Sequence, residues 1–250
     1  MLARYLIVAS FFLFLYSCGD SNSGNTSQET QSFALKFQVK ANGQPVGLGK
    51  YYLLKGADSI LFSRLDFYVQ HTTLLPKSGS SFDMDTVMLY SFSNTENTVY
   101  KKSTSIPLNI DTVKFLLGLD EMTNSGDPNR FEQSHPLSSW KNMHWTWSSG
   151  YRFAVFEAKI KKADGTEIPV SYHPGLIYRN FSINPITIVV NPNTPKTYNA
   201  VLNVEKIFFP SIAANEIKYA QGETQAHADP SDIELTDKFA KNFAAAFTVE

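Results

Sequence analysis

From Phe33 onward the chain alternates apolar and polar positions with the period of two that marks β-strands. Phe33, Leu35, Phe37 and Val39 recur at every second place with Lys36 and Gln38 between them, and Asn42-Gly43 follows as a hairpin-turn signal. A longer strand is predicted over 58–75, with Leu61, Leu65, Phe67 and Val69 apolar and His71 continuing their face. Residues 86–92, 105–110, 112–119, 167–173, 183–190 and 197–205 read the same way, rich in Tyr, Phe, Val, Ile and Thr. Pro, Gly, Asn and Ser clusters separate these short runs, and helical patterns are not repeated between them. This organisation predicts an all-β fold, an antiparallel β-sandwich of the immunoglobulin or jelly-roll kind. One helix is expected near the C-terminus. Leu235, Phe239, Phe243 and Phe247 recur every four residues with Ala240 and Ala244 beside them, and Ser231-Asp232-Ile233-Glu234 has capping-box spacing.

The period also isolates one unusual segment. All three tryptophans fall within residues 140–147, in a run that continues Met143-His144-Trp145-Thr146-Trp147-Ser148-Ser149-Gly150-Tyr151. As one extended strand it would place Met143, Trp145, Trp147, Tyr151, Phe153 and Val155 on one face. His144, Thr146 and Arg152 would lie on the other. Large aromatics at i and i+2 serve equally as sandwich core or as an exposed platform for a glycan or a protein.

The amino terminus changes the picture of where the domain works. Residues 1–18 have a short basic start at Arg4 and an apolar run over 6–16 too short to span a bilayer, as an export signal has. Leu15-Tyr16-Ser17-Cys18 resembles the lipobox of bacterial lipoproteins, in which the cysteine is lipidated and becomes the mature N-terminus. Residues 19–32 are almost entirely small, polar or acidic and read as a flexible tether, leaving 33–250 as one folded domain. Cys18 is the only cysteine, so no disulfide supports the fold and the core must suffice. A formal net charge of −1 gives no electrostatic footprint for nucleic acid.

Enzyme signatures are missing: there is no phosphate loop, nucleophile elbow, cysteine pair or His-Glu-x-x-His motif, so the chain is read as a non-enzyme. The carboxylates of 120–127 fit Asx-type turns better than a calcium loop, because they lack EF-hand alternation. Five histidines remain: His71, His135, His144, His173 and His227. Imidazole is the commonest transition-metal ligand, and a thioether such as Met143 suits Cu(I). No two of the histidines share a turn, so a metal site would have to be assembled by the fold.

Gly118-Leu119-Asp120, Asn124-Ser125-Gly126 and the run from Met143 to Tyr151 together resemble the core signature of the MbnP family of methanobactin-associated periplasmic proteins. Arg64-Leu65-Asp66-Phe67-Tyr68 and Tyr172-His173-Pro174-Gly175 resemble further family segments. The resemblance implies a β-sandwich that binds copper. In some members a dihaem peroxidase of the MbnH type oxidises a tryptophan to kynurenine, which assists the site. Carried over by position, the tryptophan candidates are Trp145 and Trp147, with Tyr151 lining the site. The ligand candidates are His173 and His227, then His144 and Met143. Asn142 and Ser148 stand where relatives carry glycine and asparagine, and the first strand lacks the histidine that relatives often place there.

The expectation is therefore a lipid-anchored protein of the cell envelope, in the periplasm or at the outer membrane, that binds copper without catalysis. The alternative is a metal-free module that binds a glycan or protein. Cys18→Ser is expected to abolish incorporation of radiolabelled palmitate and to release the protein from membranes; labelling that survives the substitution refutes lipidation at this residue.

Overall fold

The computed structural model describes residues 31–84, 86–92, 97–103, 106–107, 109–145, 150–175, 186–189, 197–227 and 229–250. In chain order these form β1 (Gln31–Ala41), β2 (Gln44–Pro45), β3 (Tyr51–Lys55), β4 (Asp58–Pro76), β5 (Phe82–Asp83), β6 (Met88–Ser91), β7 (Thr98–Ser103), β8 (Ile110–Leu117) and α1 (Glu121–Asn124). There follow β9 (Ala154–Lys161), β10 (Glu167–Tyr172), β11 (Ile186–Val189), β12 (Thr197–Asn203), α2 (Val204–Phe208), β13 (Gln225–Ala226), α3 (Ile233–Ala245) and β14 (Phe247–Val249). Cys18, Trp147, residues 183–185 and 190, and the side chains of 186–189 lie outside the described residues.

Two sheets pack face to face as a β-sandwich. The smaller has five strands in the order β14-β12-β1-β2, with β7 also on β1. The larger has nine, in the order β11-β8-β4-β9-β10-β13, with β3, β5 and β6 also on β4. The sheets are mixed rather than purely antiparallel: β1 runs parallel to β12, and β10 to β13. Each parallel pair is joined through a long stretch of chain, which leaves room for the crossover that parallel strands require. Strand β1 begins at Gln31, so Gln31 and Ser32, compositionally part of the tether, pair with Ser103 and Lys102 of β7.

Strand β4 organises the larger sheet. Near its start only alternate residues are buried, Ile60 and Phe62 inward with Ser59 and Ser63 outward. From Leu65 to Gln70 every residue is buried, as expected of a strand covered on both faces. A bulge between Phe62 and Arg64 shifts the phase, so the inward set passes from Ile60 and Phe62 to Leu65, Phe67 and Val69. Leu61, expected on the core face, is consequently only half-buried. A second irregularity between Gln70 and Thr73 includes His71 at φ +51, which turns its side chain off the expected face.

The inward face meets β1 through aromatic rings. Phe37 lies edge-on to Phe115 at 5.2 Å and to Phe67 at 6.0 Å. Phe67 stacks on Tyr90 at 4.5 Å and also meets Phe243 of α3 at 5.5 Å. Edge-to-face and offset arrangements of this kind add to the burial of apolar area. The C-terminal helix forms as its period predicts and closes the core, with Phe239 stacked on Tyr172 at 4.8 Å. It ends before Phe247, which instead belongs to β14 and packs edge-on against Phe37. The expected capping box forms earlier, on the short turn Pro230–Asp232 that leads into the helix: the Asp229 carboxylate accepts from Ser231 N and Asp229 N donates to Asp232. Asp232, the helix's own N-cap, makes no side-chain capping bond. Other predicted strands are shifted. The strand expected over 105–110 forms earlier, as β7, and Ile106 and Pro107 lie outside it.

The outward face of β4 carries the segment 119–153. Arg64 Nη2 donates to the carbonyls of Lys141 and Asn142, Tyr68 Oη to Pro136 O at 3.0 Å, and Gln70 Nε2 to Asp120 at 2.9 Å. Gly118, which opens this segment, has φ +91, and a Cβ there would lie 2.8 Å from the Phe153 ring. Only glycine fits.

With Phe67 buried at the centre of both contacts, Phe67→Ala is expected to destabilise the fold by about 3–5 kcal/mol. Urea denaturation checks this; a loss below about 1 kcal/mol contradicts its central role.

Candidate metal centre

The tryptophan segment is not one strand. Its chain folds back: Trp145 N donates to Gly150 O at 3.1 Å and Arg152 N to Met143 O at 2.6 Å, so that His144 pairs across from Tyr151. Tyr151 therefore does not share a face with Met143 by simple alternation. The cause is local. Gly150 has φ +68, and a Cβ there would sit 2.6 Å from the amide of Asn124, whose Oδ1 accepts from Tyr151 N at 2.8 Å. Asn124 is buried on α1, where Asp120 caps the helix by accepting from Thr123 N. Asp127 likewise caps the turn Pro128–Arg130, so these carboxylates serve turns as expected.

The segment's side chains are engaged separately. Met143 is fully buried and its sulfur faces Arg64 Nη2 at 3.4 Å. His144 lies edge-on to Tyr151 at 4.8 Å, and burial lowers its pKa. Tyr151 is fully buried with its hydroxyl on Leu137 O. Trp145 is half-buried and packs on Gly175, where a Cβ would lie 3.0 Å from the indole. The remaining histidines are also occupied. His71 is half-exposed and bonds Asp120 Oδ2 at 2.7 Å rather than a backbone group. His135 stacks on Phe131 at 4.2 Å and accepts from Leu137 N.

His173 and His227 come together. His173 follows the end of β10, where its backbone N donates to Ala226 O at 2.7 Å and so continues the parallel pairing with β13. His227 follows the end of β13, and its backbone N donates to Asp232 Oδ2 at 2.7 Å. The other oxygen of Asp232 holds Asp229 N and the Thr236 hydroxyl, which ties His227 to the entrance of α3. The two rings lie 4.8 Å apart, centre to centre, and tilted by 31°. Both Nε2 atoms reach one oxygen, Ser171 Oγ, at 3.2 Å and 3.1 Å.

Glu157 Oε1 lies 3.0 Å from His173 Nε2. Ser171 and Glu157 are directly paired across β10 and β9, which places them on one face. A hydrogen-bond pattern that satisfies the group has His173 Nε2–H donating to Glu157 and the Ser171 hydroxyl donating to His227. Burial, then His227, Arg152 and Arg64, push the His173 pKa down to about 3. The ring is therefore neutral at physiological pH, the state in which an imidazole carries a ligand lone pair.

Ser171, Glu157 and Arg152 were not foreseen. Ser171 was within reach, two residues from His173 on a predicted strand. Glu157 and Arg152 depend on strand register and on the fold-back of the chain. Among the described residues no set of three His, Cys, Asp or Glu side chains is arranged to hold a metal. The centre is thus a pair of nitrogen donors with a hydroxyl and a carboxylate beside it. Two converging imidazoles fit a cation that accepts nitrogen ligands, copper among them.

The MbnP family model matches residues 30–228. The chain belongs to the MbnP family. MbnP from Methylosinus trichosporium is similar in structure, with a TM-score of 0.52 and 20% identity over 73% of this chain and 79% of that one. At that identity the likeness shows the fold. No curated protein matches this MbnP-family chain.

The depressed His173 pKa has a consequence for stability. Between pH 6.5 and 3 the unfolded chain binds a proton at this residue that the native protein does not, so native stability falls as pH drops through that window. Between pH 7 and 4.5 the wild type is expected to lose on the order of 2 kcal/mol more than His173→Gln. Urea midpoints at the two pH values measure the difference, and equal losses in both proteins contradict a buried neutral His173.

Proposed function

We propose that the protein binds copper at the cell envelope without catalysing a reaction, using His173 and His227 as its nitrogen ligands. The convergence of these two histidines on one oxygen carries the reading, since they come from separate strands and no local motif would pair them. Membership of a family of methanobactin-associated proteins supports it, as does the neutral state of His173. A lipid on Cys18 would hold the domain at a membrane, with the segment 19–30 as its tether.

The protein's own contributions are binding and orientation. The β10–β13 pairing fixes the backbone of His173, Asp232 fixes that of His227, and Ser171 and Glu157 set the directions of the rings. These bonds are made to the Nε2 atoms themselves, so a metal held there would displace them, with the His173 proton carried on Nδ1. Bound copper would supply an electron-accepting centre for nitrogen donors. Trp145 packs on Gly175, two residues beyond His173. Oxidation of Trp145 or Trp147 to kynurenine by a dihaem peroxidase of the MbnH type would replace an indole N–H donor with an amine and a carbonyl. His144 and Met143 are assigned no ligand role, because each is packed against other groups.

Anaerobic loading with Cu(I), desalting and elemental analysis test the proposal. The wild type is expected to retain copper in stoichiometric amount, and the double variant His173→Ala/His227→Ala to lose it while keeping its circular dichroism spectrum. Absence of copper from the wild type, or equal retention by the folded double variant, overturns the assignment.

A further inference from the structure

Trp140 has no part in the histidine centre, and its setting differs from that of Trp145. It is 69% exposed. A large aromatic left in solvent is ordinarily mobile, but this one stands on a tightly held turn, Ser139–Lys141. Ser138 caps the start of the turn, and Asn142 ends it at φ +51 with its N–H on Ser139 O. Arg64 then bonds the carbonyls of Lys141 and Asn142, while its Nε is held by Asp66 at 2.5 Å. The buried strand β4 thus fixes the turn that presents the indole.

Trp140 lines an open cleft of about 1030 Å³. That is the upper end of the size range of small-molecule sites. Its wall is more polar than such sites usually are, with Thr98, Ser134 and Asn142 offering hydroxyl and amide groups. The Thr86 hydroxyl on the same wall is buried and has no hydrogen-bond partner among the described residues. The lining carries three charged side chains: Arg64 and Asp66 form an ion pair, and Lys141 adds one further cation.

We infer that this cleft binds a neutral oligosaccharide, with Trp140 as the platform on which a sugar ring stacks. A pyranose presents an apolar C–H face to an indole and hydroxyls at its rim, which matches one exposed ring beside hydroxyl, amide and ammonium groups that can hydrogen-bond those hydroxyls. The site is independent of the histidine centre and does not require copper.

Isothermal titration calorimetry of the whole domain with maltohexaose, cellohexaose, laminarihexaose and chitohexaose tests the inference. At least one is expected to bind with a Kd below roughly 10 mM, an affinity in the weak range for a single stacking site. Trp140→Ala is expected to weaken that binding by about tenfold or more, and Trp140→Phe to restore most of it. Copper retention should be the same in both variants and the wild type. Failure of all four saccharides to bind overturns the proposal, as does unchanged affinity in Trp140→Ala. Binding of a pool of neutral decapeptides in place of the saccharides identifies a peptide groove and overturns it equally.

Discussion

The structure depends on one strand being buried on both faces. Over Leu65 to Gln70, β4 turns Leu65, Phe67 and Val69 into the aromatic core between the sheets, and Asp66, Tyr68 and Gln70 toward the segment 119–153. A chain without disulfides needs a core that orders distant parts of the molecule, and β4 does so in two directions. Inward, Phe67 touches rings from β1, β6, α3 and β14. Outward, Arg64, Tyr68 and Gln70 donate hydrogen bonds to Lys141, Pro136 and Asp120 and so anchor the described part of the segment 119–153. A buried backbone without such partners would be costly.

The same strand links the two candidate sites. Its outward residue Arg64 pins the turn that exposes Trp140, and its pairing with β9 sets Arg64 opposite Glu157, whose carboxylate meets His173. The guanidiniums of Arg64 and Arg152 add positive potential near His173 and, with burial, keep it unprotonated. Arg152 is itself half-buried, its Nε without a hydrogen-bond partner among the described residues. An arrangement that keeps an imidazole neutral in a positive field disfavours bound protons. It disfavours highly charged cations for the same reason, so a ligand pair set here has to rely on nitrogen donation more than on charge.

Much of this was legible in the residues. Period two identified β1, β4, β10 and β12, and period four identified α3, because each is a long element with one clear apolar face. The boundaries failed where a single residue changes phase. The bulge before Arg64 cannot be read from alternation, since Leu61 and Phe62 are both apolar and either suits the core. Phe247 satisfies the helical stripe yet lies in a strand, because its ring meets Phe37 and Phe67 from either geometry. His173 and His227 were legible as candidates by resemblance. Their convergence was not, since it rests on a parallel pairing of β10 with β13 that no local pattern encodes. Glu157 was invisible for the same reason.

The tryptophan run shows why composition and site are different questions. Trp140 and Trp145, five residues apart, lie in different environments, and a left-handed residue stands beyond each of them. Asn142 at φ +51 ends the turn that leaves Trp140 in solvent, and Gly150 at φ +68 returns the chain so that Trp145 faces Gly175. Neither tryptophan is chosen for its position by its own packing alone. Gly175 and Gly150 must lack a Cβ for the rings and the Asn124 amide to approach, and Gly118 must lack one for Phe153 to do so. The family signature is therefore as much a set of absent side chains as of present ones. Its glycines shape a surface on which one indole can lie beside the histidine strand and another can stand free.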